Sequence, residues 1–588
     1  MSAPEADAWV EDAAEDVGGL DLLLADAALG LWRRFRPDSS ALRFGMALGR
    51  RPRVVAGQAA WLGIELARVL AGRSRLAPAS RDRRFADPAW AGNPVLRRVL
   101  QAYLAGSGSA EALLDGAELD WRDDTRLRFV LANLIAAAAP SNNPLLNPVA
   151  WKALIDTGGV NVVRGLRALA GDLATPPRVP SMVPPGAFEV GKTLAVTPGS
   201  VVHRTEQFEL IQYQPVTETV YAYPLLIVPP MINKYYITDL APGRSMVEYL
   251  VGQGHQVFVM SWRNPDARHR EWSLDRYGGA VLEGLDAVRS VAGAGRAAKV
   301  NLCALCSGGI VVSMVAAHLS VTGQLGQVAS ICLGVTVLDQ NRAGTAAAMI
   351  DPRAAAAAKA VSQTRGYLDG RALAEVFAWL RPDDLIWNYW VNNYLRGEPP
   401  PAFDILHWNA DTTRLPAALH RDFIDLGLAN ALTVPDAARM LGSPVDLSKI
   451  DVDAYVIAGI ADHICPWQSC YRTTQLLGGA TKFVLSTSGH IAAMVNPPAN
   501  PKARFRTLPG AAGAAGTGAA GAGAAGAVNP EDPRQFLAEA VEVSGSWWPD
   551  YAAWLASHGG DQVASPRQLG SEDYPPLSAA PGTYVHDR

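Results

Sequence analysis

Residues 299–316 read Lys299-Val-Asn-Leu-Cys303-Ala304-Leu-Cys306-Ser307-Gly308-Gly309-Ile310-Val-Val-Ser-Met-Val-Ala316. Val300 to Leu305 is a continuous apolar run of strand length, as a strand buried on both faces must be, and Ile310 to Leu319 is an apolar helix. Between them lies a sharp turn with Cys306 at its apex. Glycine just after the apex lets the helix pack close to the strand, and the first helical N–H groups face the apical side chain. A thiol in that position has a lowered pKa and more of the nucleophilic thiolate. The spacing follows the nucleophile-elbow pattern G-x-S-x-G with two departures, Cys306 for the Ser and Ala304 for the first Gly. Ala304 adds a methyl where backbones approach closely. Cys303 and Cys306 also spell C-x-x-C, but Cys303 lies in the strand, pointing away from the apex. No second pair at zinc spacing exists, and no metal is expected.

Further apolar runs flank this unit: Leu225 to Val228, Gln256 to Trp262, Ser330 to Val335, Ala454 to Ala458 and Lys482 to Ser486. Helical segments at Ser245 to Gly252 and Tyr277 to Val291 separate several of them, which predicts a parallel sheet with helices on both sides. The run from Ala454 ends in Gly459-Ile-Ala-Asp462-His463, and the run from Lys482 ends in Ser488-Gly489-His490. An acid and a histidine thus follow the C-terminal ends of later strands, where parallel sheets present catalytic groups. The order Cys306, Asp462, His490 is the nucleophile, acid, base order of α/β-hydrolase folds. Taken singly, a loop Asp beside Gly is a turn former and a His before an apolar helix is a cap. His463 competes for the base role, but adjacent loop residues seldom converge on one point, so His490 is assigned as base. His463 and Trp408 are given supporting places behind the triad. Backbone N–H groups of Ser307 and, by fold analogy, Ile232 are expected to hold an oxyanion.

The fold class expected is therefore α/β, an α/β-hydrolase fold with a large helical cap insertion, preceded by a helical N-terminal domain. The boundaries expected are 1–195 for the helical domain and 196–588 for the catalytic domain, with the cap at about 340–447. The cap is rich in tryptophan (Trp379, Trp387, Trp390, Trp408), which reads as packing and implies a dry cover. A Gly/Ala-rich stretch at about 507–530 reads as a flexible surface loop without chemistry. Within the first domain, residues 33–75 hold ten arginines against Asp38 and Glu65, and apolar residues recur at helical spacing around Trp61. Such a basic amphipathic segment either packs on neighbouring helices or meets an apolar or anionic surface.

Composition narrows the rest. In 588 residues, 52 Lys plus Arg face 56 Asp plus Glu, so the net charge of −4 gives no case for binding nucleic acid. Five cysteines are too few for a disulfide scaffold and fit a reducing compartment. The first 27 residues carry eight acids and no base, the opposite of a secretory signal, and no uninterrupted apolar run of about 18 residues follows. A cytoplasmic protein without a transmembrane segment is expected.

Long strings resemble those of the polyhydroxyalkanoate synthases: FEVGKTLAVTPGSVVHRTEQFELIQYQP from Phe188, PLLIVPPMINKYYITDL from Pro224, SWRNPD at Ser261, the Cys306 elbow, LIWNYWVNNYL at Leu385, DHICPW at Asp462 and SGHIAAMVNPP at Ser488. RRFADPAWAGNP from Arg83 and the final APGTYVHDR extend the likeness almost to both ends. The family's elbow reads G-x-C-x-G-G, which Cys306, Gly308 and Gly309 match and Ala304 does not. RRFADPAW, FAWLRPDDLIWNYWVNNYL and DTTRLPAALH look closer to the synthases of medium-chain-length monomers. The resemblance implies polymerisation of (R)-3-hydroxyacyl-CoA into polyester with release of coenzyme A, through an acyl group on Cys306. It implies His490 as general base and Asp462 as helper of His490 or of the substrate hydroxyl. It also implies a homodimer on the surface of the polyester granule, with the amino-terminal domain contributing to both contacts; the residues themselves indicate no metal or organic cofactor. The competing readings are a thioesterase or polyester hydrolase with the same triad, and a non-catalytic granule-associated protein.

Overall fold

A computed structural model describes residues 27–28, 35, 39–80, 82–293, 299–340, 352–462, 464–509 and 529–588. His463, most of the Gly/Ala-rich stretch and most of the acidic amino terminus lie outside the described residues. The chain divides into two compact units, Phe188–Gly370 with His407–Arg588, and Leu29–Ala187 with Arg371–Leu406.

The first unit is built on an 11-stranded sheet. Its strands are β1 (Gly199–Arg204), β2 (Phe208–Tyr213), β3 (Leu225–Val228), β4 (Val257–Trp262), β5 (Val300–Leu305), β6 (Val328–Gly334), β7 (Ala454–Gly459), β8 (Thr481–Ser486), β9 (Arg504–Thr507), β10 (Val541–Ser544) and β11 (Ser578–Ala579). Their spatial order is β10-β9-β8-β7-β6-β5-β3-β4-β2-β1-β11. The six strands from β4 to β8 across the middle are parallel. Antiparallel strands flank them on both sides. Every residue of β3, β4, β5 and β7 is buried. That explains why the sequence shows unbroken Val, Ile and Leu runs there rather than alternation.

The order makes a site. The chain enters the sheet's centre at β3, steps to β4 on one side, then crosses back to place β5 on the other side of β3. The loops leaving β3 and β5 diverge at this reversal, and the crevice that opens beyond the strands' C-terminal ends is where such sheets carry their ligands. The strand and helix expectations hold to within about three residues. Helices occupy Met246–Gly252, capped by Ser245, Leu274–Val291 and Ser307–Val321. What the sequence did not reveal are the antiparallel flanks: β9, β10 and β11 are only two to four residues long, whereas β1 and β2 have six residues each and β2 is wholly buried.

The second unit is helical, with its longest helices at Pro52–Leu70, Pro94–Asp115, Trp121–Ala137 and Val160–Ala174. Residues 371–406 pack with these helices, which corrects the expectation of one continuous cap over 340–447 and of a single break at 195/196. Gly165 lets the Val160–Ala174 helix press directly on the backbone of Tyr394, since a Cβ there would lie 2.0 Å from the Tyr394 carbonyl oxygen. Asn161 Nδ2 donates to the Leu395 carbonyl at 2.9 Å, Trp390 Nε1 donates to the Asn142 carbonyl at 3.1 Å, and Arg84 pairs with Asp383 at 2.9 Å. Trp379, Trp387 and Trp390 therefore belong to this helical unit, while Trp408 belongs to the sheet unit.

Candidate active site

Cys306 stands at the end of β5 with φ +53° and ψ −122°, a backbone conformation that costs a non-glycine residue about 1–3 kcal/mol. The surrounding structure holds it there. The Cys306 N–H donates to the Gly334 carbonyl at the end of β6 at 2.8 Å, and Thr336 Oγ1 donates to the Cys306 carbonyl at 3.3 Å. The strain lifts the side chain out of the sheet toward the crevice, at the N-terminus of the buried helix Ser307–Val321. Gly308 permits the close fit, because a Cβ there would meet the Val228 and Pro229 carbonyl oxygens at 2.6 and 2.8 Å. Those atoms are backbone and cannot rotate aside. Gly308→Ala should cost about 1–3 kcal/mol of stability and slow alkylation of Cys306, read by thermal melting and by iodoacetamide labelling. Ala304, by contrast, is wholly buried in β5 opposite Val228 of β3, and the elbow forms with its methyl in place.

The loops after β7 and β8 bring the other two residues. Gly459 ends β7, where a Cβ would lie 2.4 Å from the Ser488 carbonyl oxygen, so only glycine lets the two loops approach this closely. Asp462 Oδ1 accepts the N–H groups of Ile464 at 2.8 Å and Cys465 at 2.9 Å. Its Oδ2 accepts the Nδ1–H of His490 at 2.7 Å. That bond leaves Nε2 of His490 for the Cys306 sulfur, and the ligand atoms of the two residues lie within 4.8 Å of one another. His490 opens the five-residue helix His490–Met494. So short a helix needs its end carbonyls satisfied. Two indoles do this, Trp547 Nε1 to the Ala493 carbonyl at 2.6 Å and Trp548 Nε1 to the Met494 carbonyl at 3.0 Å. The tryptophans are fixed in turn through Asp550, which accepts from Tyr455 of β7 at 2.7 Å and from Lys482 of β8 at 2.8 Å.

The loop after β3 supplies the fourth side of the crevice. Pro229 and Pro230 carry no N–H, and the Met231 N–H donates to Ser307 Oγ at 3.3 Å, so Ile232 offers the next amide. Thr413 fastens this loop, its N–H on the Ile232 carbonyl at 3.1 Å and its hydroxyl on the Met231 carbonyl at 2.7 Å. Trp408 is buried with its Nε1 donating to the Lys234 carbonyl at 2.7 Å, which places it behind the loop rather than at the nucleophile. The Ser307 N–H faces the Cys306 sulfur.

One residue at the centre escaped the sequence reading. Cys465 stands beside Cys306: the Cys306 and Cys465 sulfurs and a His490 ring nitrogen all lie within 4.8 Å of one another. The signal was its place three residues after Asp462, on a turn whose amides the carboxylate gathers. Cys303, as expected, takes no part: it sits beside Cys332 on the neighbouring strand.

Electrostatics follow from these contacts. The hydrogen bond from Cys465, then that from His490 with its charge and the Ser307 N–H, outweigh burial and lower the Cys306 thiol from the ordinary 9.0 to about 6. Burial pulls His490 down, but the Asp462 charge and hydrogen bond, together with Cys306, raise it above the ordinary 6.5. Burial and the neighbouring Cys306 push Cys465 upward, so it stays a thiol. Both shifts favour a Cys306 thiolate beside a His490 imidazolium. Because the thiolate is the reactive form and accumulates above its pKa, alkylation of Cys306 by iodoacetamide should rise through a midpoint near pH 6. A midpoint near 9 would contradict the ion pair.

Residues 81–250 match the family model described as the N-terminus of poly-beta-hydroxybutyrate polymerase, and residues 224–497 match that of the alpha/beta hydrolase fold. The chain is 43% identical to poly(3-hydroxyalkanoate) polymerase 1 of Ectopseudomonas oleovorans over 588 residues, covering 100% of both chains. The chain belongs to the poly(3-hydroxyalkanoate) polymerase family. Polymerase 2 of the same organism is 46% identical over 90% of each chain. The polymerase subunit PhaC of Cupriavidus necator is 38% identical over 97% of this chain and 91% of its own. The structure brings Cys306, Asp462 and His490 together at the ends of β5, β7 and β8. The hydrolase-fold match spans all three residues.

Proposed function

We propose that this polymerase-family chain joins (R)-3-hydroxyacyl-CoA units into a polyhydroxyalkanoate polyester, releases coenzyme A, and carries the acyl group as a thioester on Cys306. The observation that supports it most is the Cys306–His490–Asp462 array at the sheet's reversal point, in a chain that aligns over its full length with a named polymerase.

The geometry suggests a cycle that balances. The Cys306 thiolate adds to the thioester carbonyl carbon, and the Ser307 and Ile232 amides hold the developing oxyanion. The carbon–sulfur bond to coenzyme A breaks, and the leaving thiolate takes the proton of the His490 imidazolium. His490, now neutral, accepts the proton of an incoming 3-hydroxyl, whose oxygen attacks the acyl-Cys306 carbonyl. An ester forms, the Cys306 thiolate leaves, and the ion pair is restored. Asp462 acts through His490 in this reading: one oxygen takes two amides, the other takes Nδ1–H, and its side chain has no exposed surface. No cofactor enters the cycle.

The test is coenzyme A release from (R)-3-hydroxybutyryl-CoA and (R)-3-hydroxydecanoyl-CoA, with the acyl product separated into polymer and free acid. Polymer with release is expected, faster with the longer monomer, because the sequence lies nearer the medium-chain type. Free acid alone would make the chain a thioesterase.

Working as a homodimer on the granule surface in the cytoplasm completes the reading. Supporting it, the helices Ser39–Gly49 and Pro52–Leu70 expose Leu42, Met46, Trp61, Ile64 and Leu70 among their arginines. No helix among the described residues is long and apolar enough to cross a membrane. Trp61→Asp with Ile64→Asp should lower partitioning onto polyester granules by about tenfold or more, since each side chain forfeits roughly 1.5–3 kcal/mol of burial. Unchanged co-sedimentation would remove this helix from the contact.

A further inference from the structure

We propose that Cys306, Cys465 and His490 form a binding site for a thiophilic divalent cation, zinc by its chemistry, and that its occupation silences the nucleophile. The inhibitory half of this statement rests on the function proposed above; the binding half does not.

Three ligand atoms of the right kind, two sulfurs and one imidazole nitrogen, lie within 4.8 Å of one another, and all three residues are buried. Zinc takes sulfur at about 2.3 Å and imidazole nitrogen at about 2.0–2.1 Å in a tetrahedron, so bound ligand atoms stand roughly 3.5–3.8 Å apart. The atoms present need at most small side-chain adjustments to close on an ion. Two sulfurs and one nitrogen form a soft donor set, which selects zinc over magnesium or calcium. A fourth position facing the crevice remains for water, the pattern of open Cys2His sites.

The surrounding contacts are those a metal site requires. His490 donates Nδ1–H to Asp462 at 2.7 Å, which fixes the ring and turns Nε2 toward the sulfurs, the carboxylate–histidine arrangement that supports metal-bound imidazoles. Asp462 also takes the Cys465 N–H at 2.9 Å, so one carboxylate positions two of the three ligands. Cys303 of the C-x-x-C spacing lies opposite Cys332 on the neighbouring strand and is not among the three ligands. The relevant partner of Cys306 lies 159 positions on, as the numbers of Cys306 and Cys465 show. Binding would release the His490 and Cys465 protons to solvent and leave both sulfurs as thiolates on the metal. With Cys306 and Nε2 both coordinated, neither attack nor proton transfer can proceed, and chelation reverses the block.

The experiment uses the full chain, stripped with a chelator and kept free of thiol reductants, titrated with zinc sulfate. We expect one tightly bound zinc per chain and a cobalt-loaded form with a sulfur-to-metal charge-transfer band. We also expect zinc to protect Cys306 from iodoacetamide until EDTA is added. Cys465→Ala and Cys306→Ala should each weaken this binding at least about 100-fold, with thermal melting confirming that both variants fold. Undiminished binding in both variants, or zinc that leaves Cys306 of the unaltered chain fully reactive, would overturn the proposal. Tight binding and protection in a chain that releases no coenzyme A would uphold the site and overturn the function. Coenzyme A release untouched by zinc would do the opposite.

Discussion

Cys306→Ala is expected to abolish coenzyme A release, a loss on the order of 10⁴-fold or more, while leaving the protein folded. The size follows from what remains. Alanine keeps the elbow backbone, the Ser307 amide and the His490–Asp462 pair, so substrate still meets an oxyanion site and a base, but no atom is left to accept the acyl group. Cys306 is only 4% exposed, so the lost sulfur leaves a small cavity, and a fall in melting temperature equivalent to about 1 kcal/mol is expected, too little to unfold the protein. Steady-state release, product analysis and a thermal melt on the same preparation measure all three. A non-catalytic granule protein predicts no change in the first two.

Asp462→Asn is expected to cost about 10³–10⁴-fold in kcat with little change in KM. Asp462 Oδ1 gathers the amides of Ile464 and Cys465, and Oδ2 receives Nδ1–H of His490. An asparagine amide that keeps its oxygen on those two N–H groups turns its NH2 toward Nδ1 of His490. Nδ1 must then accept rather than donate, so the proton moves to Nε2 and the base no longer faces the nucleophile. The imidazolium also loses the negative charge that raises its pKa, and with it Cys306 loses part of what keeps it a thiolate. Two readouts separate the roles open to this carboxylate. If it acts through His490, the first burst of coenzyme A slows and the iodoacetamide midpoint of Cys306 moves upward. If it acts on the substrate hydroxyl, the burst stays fast and only chain growth slows.

Much of this site is legible in the chain, and for identifiable reasons. Strands buried on both faces admit few residue types, so β3, β5 and β7 show as apolar runs, and catalytic groups of a parallel sheet follow such runs directly. Cys306, Asp462 and His490 could be found by looking there. Cys465 carries only a weak mark, its place three residues after Asp462, because its partner Cys306 is brought to it by topology rather than by spacing along the chain. The indole clamps of Trp547 and Trp548 on the His490 helix are hidden for the same reason. Residues 371–406 misled in another way. A tryptophan-rich insertion at a sheet edge reads as a cap by its length, but its partner is set by the shape of the surface it meets. Here that surface is a helix carrying Gly165 and Asn161. The strands β9 to β11 lack any strong pattern, since two to four residues carry too little burial to mark themselves, while β2, six buried residues, is masked by its polar Glu209 and Gln212.

The central claim is a covalent acyl group on Cys306, and the mass of the protein after brief mixing with (R)-3-hydroxydecanoyl-CoA tests it most directly. The account predicts a rise by one or more hydroxyacyl units, located by peptide analysis on Cys306, absent from Cys306→Ala and removed by hydroxylamine. Coenzyme A release without any adduct on Cys306, or an adduct that persists in Cys306→Ala, would contradict it.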